Sequence, residues 1–159
     1  MQKTRIKKVG FAASSGGHFS QLKMLKPLME QYDSFIMTEE TGESKDDRTD
    51  GIRTYHLPQV NRKDKTALFT LIRISFQSLS ILIREKPDVI VSTGVLATIP
   101  VCLLAKIMRI HVIYIESFAK IHTPTQTGKL MYHVADDFFV QWPSMLDVYP
   151  KAVYAGSLY

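Results

Sequence analysis

This 159-residue chain is poor in several things at once: it has one cysteine, one tryptophan and no clean apolar run of membrane-spanning length. The lone Cys102 excludes a disulfide framework and a multi-cysteine metal centre within one chain. Set in Val101-Cys102-Leu103-Leu104, it reads as a small buried hydrophobe. Every apolar stretch approaching about 18 residues carries charged or polar interruptions, so no spanning helix is expected. Val9-Gly10-Phe11-Ala12-Ala13 is too short for a signal-peptide core and runs straight into a glycine loop, which points to a cytosolic protein. Also missing are the dinucleotide fingerprint, the P-loop and the nucleophile elbow of serine hydrolases. His18, His56, His111, His122 and His133 lack ligand spacing, so neither a metal nor a cofactor is expected. No recognition helix or interleaved aromatics accompany the basic residues, which argues against a nucleic-acid partner. No repeat or Pro/Gly/Ser linker divides the chain, and at roughly 150 residues per domain it reads as one domain spanning 1–159.

What is present is alternation. Short apolar strands are expected at Lys8 to Ala13, Ser34 to Thr38, Arg53 to Leu57, Val89 to Val91, Ile110 to Ile115, Phe138 to Val140 and Ala152 to Tyr154. Helices are expected over Phe19 to Glu30, with Pro27 as an irregularity, and over Asp64 to Glu85, Val95 to Met108 and Thr127 to Val134. Strands alternating with helices of ten or more residues predict an α/β fold, a doubly wound parallel sheet of the Rossmann-like kind.

Charge is uneven within the net +5. Lys3, Arg5, Lys7, Lys8, Lys23 and Lys26 precede any acidic residue, while Glu39 to Asp50 holds six acids and reads as an exposed loop. A basic face suits an anionic partner, although a charge of this size also serves solubility. In the long helix, Leu68, Leu71, Ile72, Ser75, Leu79, Leu82 and Ile83 form the expected stripe. Eleven apolar residues in seventeen, flanked by Arg62, Lys63, Lys65, Arg84 and Lys86, suit either a core helix or one that also touches an anionic leaflet.

In such sheets ligands bind beyond the carboxyl ends of the strands, and three loops there carry unusual residues. Ser14-Ser15-Gly16-Gly17-His18 joins a strand to a helix, so its amides and the helix end suit phosphate, with His18 able to donate or exchange a proton. The plainer reading is a glycine turn capped by its histidine. Ser92-Thr93-Gly94 repeats the strand-glycine-helix pattern. Glu116-Ser117 follows an apolar strand, where a carboxylate can act as a base or serve as a cap. Asp136-Asp137 is not a catalytic pair, because neighbours on an extended segment face opposite ways.

These segments, with Lys86-Pro87-Asp88-Val89-Ile90-Val91, Ile113-Tyr114-Ile115, Thr127-Gly128-Lys129-Leu130, Val140-Gln141-Trp142 and Tyr149-Pro150-Lys151-Ala152, occur in order over nearly the whole chain. Together they resemble the membrane-associated subunit family of split glycosyltransferases, and most of all its bacterial capsular and exopolysaccharide members of the CpsF, EpsE and PssD type. The family includes the acceptor-side subunit of the N-glycan N-acetylglucosamine transferase. The resemblance implies the N-terminal, acceptor-binding half of a GT-B fold, inactive or weak without a separate nucleotide-sugar-binding partner subunit. It implies that Ser14, Ser15, Gly16, Gly17, Thr93, Gly94 and Ser117 surround an undecaprenyl-diphosphate-linked sugar, with His18 or Glu116 as base. It also implies peripheral attachment to the inner face of the plasma membrane through Lys3 to Lys8 and the long helix. A non-catalytic scaffold for the partner stays open as the alternative.

Overall fold

The computed structural model describes residues 6–41, 51–61 and 64–159. Lys3, Arg5, Arg62, Lys63 and most of the acidic stretch lie outside them. Seven strands form one parallel sheet in the order β3-β2-β1-β4-β5-β6-β7. They are β1 Lys8–Ala13, β2 Asp33–Glu39, β3 Arg53–Leu57, β4 Val89–Gly94, β5 His111–Ile115, β6 Asp137–Val140 and β7 Val153–Tyr154. The helices are α1 Gly17–Lys23, α2 Lys26–Met29, α3 Ala67–Glu85, α4 Thr98–Ile107 and α5 Gln126–Val134, with a 3-10 turn at Pro143–Leu146.

The central strands are continuous apolar runs because both faces are covered. Phe35, Met37, Ile90, Val112 and Tyr114 pack with Ile74, Leu82, Val101 and Met131 from α3, α4 and α5. On the other face Phe11, Ile36 and Val91 meet Phe19, Leu22 and Met29 from α1 and α2. The chain runs outward from β1 to β3, then crosses back to place β4 on the other side of β1. Strand order therefore reverses between β1 and β4, which opens a crevice at their carboxyl ends.

Three expectations need correction. The helix expected over Phe19 to Glu30 is two helices, because Pro27 lacks an N–H and sits in the first turn of α2, where none is needed. Glu39 is the last residue of β2 and buried, not part of an exposed loop. The buried face of α3 is Ile74, Ser78, Ile81, Leu82 and Glu85, rotated from the expected stripe. Leu68 and Phe69 are 72% and 73% exposed, and Ile72, Phe76 and Ile83 also face outward. By length and composition α3 is apolar enough to cross a membrane. Here it is the crossover from β3 to β4, with both ends tied to one sheet.

Candidate functional site

The β1–β4 crevice is built from the Ser14 to His18 segment and the carboxyl end of β4. Ser92, Thr93 and Gly94, expected as a loop, continue that strand because they still pair with β1 and β5. Hydrogen bonds stitch the two together. Ser14 N–H donates to the Gly94 carbonyl at 2.8 Å, and Val95 N–H donates to Ser14 Oγ at 3.2 Å. Thr93 Oγ1 donates to the His18 carbonyl at 3.0 Å. His18 Nδ1 lies 2.8 Å from the Thr93 carbonyl, which can only accept, so Nδ1 carries the proton. Neutral His18 thus has its lone pair on Nε2, the position of a base.

The glycines differ in why they are needed. Gly16 has φ 73° and Gly94 φ 91°, both left-handed. A Cβ on Gly94 would also stand 2.9 Å from the Tyr114 hydroxyl. Gly17 has an ordinary φ and nothing within 4 Å of a Cβ position, so the fold does not require glycine there. Its empty side leaves the start of α1 open, where the amides of Gly17, His18 and Phe19 lack intrahelical partners.

The third loop is held by its own carboxylate. Glu116, 1% exposed, accepts from Ser117 N–H (2.9 Å), Thr125 Oγ1 (2.9 Å), Thr125 N–H (3.3 Å) and Tyr149 OH (2.8 Å). Thr125 caps α5 by accepting from Gly128 N–H at 2.7 Å. A Cβ on Gly128 would lie 1.9 Å from Glu116 Oε2, so only glycine lets the helix approach. Burial, then the hydrogen bond to Glu116 and its charge, push the Tyr149 hydroxyl pKa above its ordinary value. Burial and the same charge do so for Tyr114.

The expected residues therefore converge on one edge in two layers. Gly16, Gly17 and His18 border the crevice, while Ser14, Thr93, Gly94, Glu116 and Ser117 brace it. Ser15 N–H donates to Glu39 Oε2 at 3.3 Å, and Val60 N–H to Glu39 Oε1 at 3.1 Å, tying the loop to the segment that leads into α3. Gln21 on α1 and Gln141 after β6 both donate to the Glu116 carbonyl, at 3.5 and 2.8 Å. Glu39, Gln21, Thr125, Gly128, Gln141 and Tyr149 have no role in the sequence reading. Glu39 is marked there only by following a strand, and Gly128, Gln141 and Tyr149 only by lying in resembling segments, while no pattern marks Gln21 or Thr125. Lys8, expected on a lipid-facing basic segment, is engaged instead: its Nζ lies 2.9 Å from Glu85 and 3.1 Å from Asp33. Among the described residues no cluster of three His, Cys, Asp or Glu could hold a metal. Cys102 is buried in α4, and burial pushes its thiol up to about 12.

Comparison with known proteins agrees with this architecture. The "UDP-N-acetylglucosamine transferase subunit ALG14" of Mus musculus is 26% identical over 174 residues, covering 92% of this chain and 80% of the relative. The subunit of the same name from Yarrowia lipolytica is 28% identical over 168 residues, with 91% and 77% covered. Acinetobacter baumannii MurG superposes with TM-score 0.73 at 20% identity, over 87% of this chain and 42% of that one. The UDP-GlcNAc 2-epimerase of Methanocaldococcus jannaschii gives 0.73 at 14% identity, over 94% and 46%. The chain spans less than half the length of either solved structure, and at these identities they establish fold alone. The family described as "Oligosaccharide biosynthesis protein Alg14 like" matches residues 9–158. The chain belongs to this Alg14-like family and has the architecture of one half of a GT-B fold.

Proposed function

We propose that this chain is the acceptor-binding, membrane-docked subunit of a two-chain glycosyltransferase, its residues 1–159 forming the half that faces a nucleotide-sugar-binding partner. The observation that carries the reading is His18, whose Nδ1 is committed to the Thr93 carbonyl, so that Nε2 stands free beside an open glycine floor. The amides of Gly17 and its neighbours receive the acceptor's diphosphate. His18 Nε2 takes the proton of the acceptor hydroxyl as its oxygen bonds to the anomeric carbon. The bond from that carbon to the nucleotide diphosphate breaks, and the partner stabilises the departing charge. Glu116, with four donors on its carboxylate, positions the third loop and α5 instead of moving a proton.

The family description supports a role in oligosaccharide biosynthesis, and the subunit names of its relatives support a UDP-sugar as donor, with UDP-N-acetylglucosamine the first to test. The capsular resemblance of the sequence favours undecaprenyl diphosphate as the lipid, in capsule or exopolysaccharide assembly. Membrane contact falls to the outward side of α3, where Leu68, Phe69, Ile72 and Phe76 are exposed, and to Leu103 and Ile107 on neighbouring α4. Lys65, Arg73, Arg84 and Lys106 lie on the same two helices or at their ends. This surface would rest on the cytoplasmic leaflet with the crevice open to the side.

Co-expression with a donor-type chain tests the reading. Sugar transfer to a lipid-diphosphate acceptor should need both chains, and His18→Ala should lower kcat by roughly 10²- to 10⁴-fold while the pair still forms. Equal activity of the partner alone would defeat the proposal. Full activity of the His18→Ala pair would leave only a scaffold role.

A further inference from the structure

The side of a surface helix that faces away from the core ordinarily carries polar residues. In α4 it does not. The inward side is Thr98, Val101, Cys102 and Ala105, all buried, and the outward side is Ile99, Leu103 and Ile107, spaced by four on one stripe. The turn before the helix extends the stripe, because Ile99 N–H bonds to the Leu96 carbonyl at 3.3 Å and Leu96 stands three residues earlier. Lys106, the one charged residue of α4, is turned to Asp136 and pairs with it. By contrast, the outward side of α5 carries Gln126, Lys129 and His133.

The stripe also has a direction. It starts at the crevice, since Val95 and Leu96 directly follow Gly94 and Val95 N–H is bonded to Ser14. It runs about 16 Å, to Ile107 at the amino end of the sheet. Exposure rises along it: Leu96 and Ile99 are half-buried, while Leu103 is 37% and Ile107 77% exposed. The neighbouring α3 differs, because Leu68 and Phe69 already project from its first turn. A bilayer resting on the projecting side chains reaches Ile107 but stops short of Leu96 and Ile99. A recessed apolar strip is left between the membrane and the crevice. One residue wide, it matches a single hydrocarbon chain better than a membrane surface.

We infer that this strip carries the polyprenyl chain of the acceptor, from its diphosphate in the crevice past Leu96 and Ile99 to the bilayer at Leu103 and Ile107. The inference rests on the acceptor-binding reading above and adds the path by which an apolar chain leaves a polar crevice. A lipid diphosphate needs both parts: backbone amides at one end and an uninterrupted apolar lead at the other. A saccharide diphosphate without a lipid has no use for the strip. Burying one Leu or Ile side chain strengthens binding roughly tenfold or more, so Leu96 and Ile99 together contribute about a hundredfold.

The test compares two acceptors that share one saccharide diphosphate, the first carried on a polyprenyl chain and the second on a methyl group. Both are assayed with the two-chain enzyme at one detergent concentration. The wild-type pair should show a KM roughly a hundredfold lower for the polyprenyl acceptor. Leu96→Ser with Ile99→Ser should remove most of that difference, raising KM for the polyprenyl acceptor while KM for the methyl acceptor and kcat stay unchanged. Vesicle sedimentation of this variant should match wild type, because α3 and Ile107 are untouched. Should serine lower the urea midpoint, Leu96→Ala with Ile99→Ala carries the test, with a smaller rise in the same direction. Equal wild-type KM for both acceptors would overturn the strip and leave the acceptor-binding role standing. An equal rise for both acceptors in the folded variant would assign the two residues to the crevice floor and overturn the strip. Lost vesicle binding would assign them to the bilayer-docking surface, with the same result. Transfer by the partner alone would remove the proposed function itself and the strip with it.

Discussion

Gly17 and Gly128 show how differently two glycines can matter. Gly17 sits at the start of α1 with open space where a side chain would go. Gly17→Ala should keep the fold, or stabilise it by about 0.5–1 kcal/mol in urea unfolding. On the proposed function its methyl group would stand over the diphosphate floor, so KM for the lipid acceptor should rise at least tenfold with little change for donor. Unchanged acceptor KM would place the diphosphate elsewhere. Gly128 is the opposite case, because its missing Cβ leaves room for the Glu116 carboxylate. Gly128→Ala should lower stability by about 1–3 kcal/mol, the usual cost of overpacking, measurable as a lower urea midpoint at constant m.

At the scale of elements, α3 divides into a half that folds the protein and a half that does not. Leu82 is fully buried, so Leu82→Ala should cost about 2–5 kcal/mol. Phe69 and Phe76 are 73% and 71% exposed, so Phe69→Ser with Phe76→Ser should leave the urea midpoint nearly unchanged and reduce sedimentation with vesicles. A double variant that binds vesicles like wild type would move the docking surface off this helix. The helix also shows where sequence patterning stops. With eleven apolar residues in seventeen, periodicity cannot choose the inward side, and packing on β2, β4 and α4 chose Ile74, Ser78, Ile81 and Leu82. At Pro27 the pattern was readable as an irregularity, but only the packed chain shows two helices there.

Across the molecule, the amino edge of the sheet is tied by a charge network centred on Glu85. Burial alone would raise its pKa. Hydrogen bonds from Tyr55 and Lys8, and the charges of Arg53 and Lys8, outweigh burial and hold it below the ordinary 4.5. Asp33 is likewise opposed by burial, then lowered by Lys8 and Arg53, and Asp88 is lowered by the Lys8 and Lys7 amides. A depressed folded pKa means that the unfolded chain binds more protons in this range. The stability these groups contribute is therefore whole above their unfolded pKa values, near 4 to 4.5, and falls away as pH drops through the lower folded values. The urea midpoint should be flat from pH 7 to 5 and decline below about pH 4.5, less steeply in Glu85→Gln. An equal acid slope in that variant would place the sensitivity elsewhere.

The order of strands and helices, the place of the first glycine loop and the buried nature of Cys102 follow from sequence, because apolar period, glycine and proline act over a few neighbouring residues. The second glycine segment, Ser92 to Gly94, is instead the end of β4. The surroundings of His18 and Glu116 do not follow from sequence. Both stand at strand ends in the sequence, and only the folded chain surrounds Glu116 with Thr125 and Tyr149 while leaving Nε2 of His18 uncommitted. Burial of Glu39, capture of Lys8 by Glu85, and the outward turn of Phe69 and Phe76 were likewise decided by tertiary structure. Each depends on which groups from distant parts of the chain fill the space around a side chain, and no local pattern encodes that.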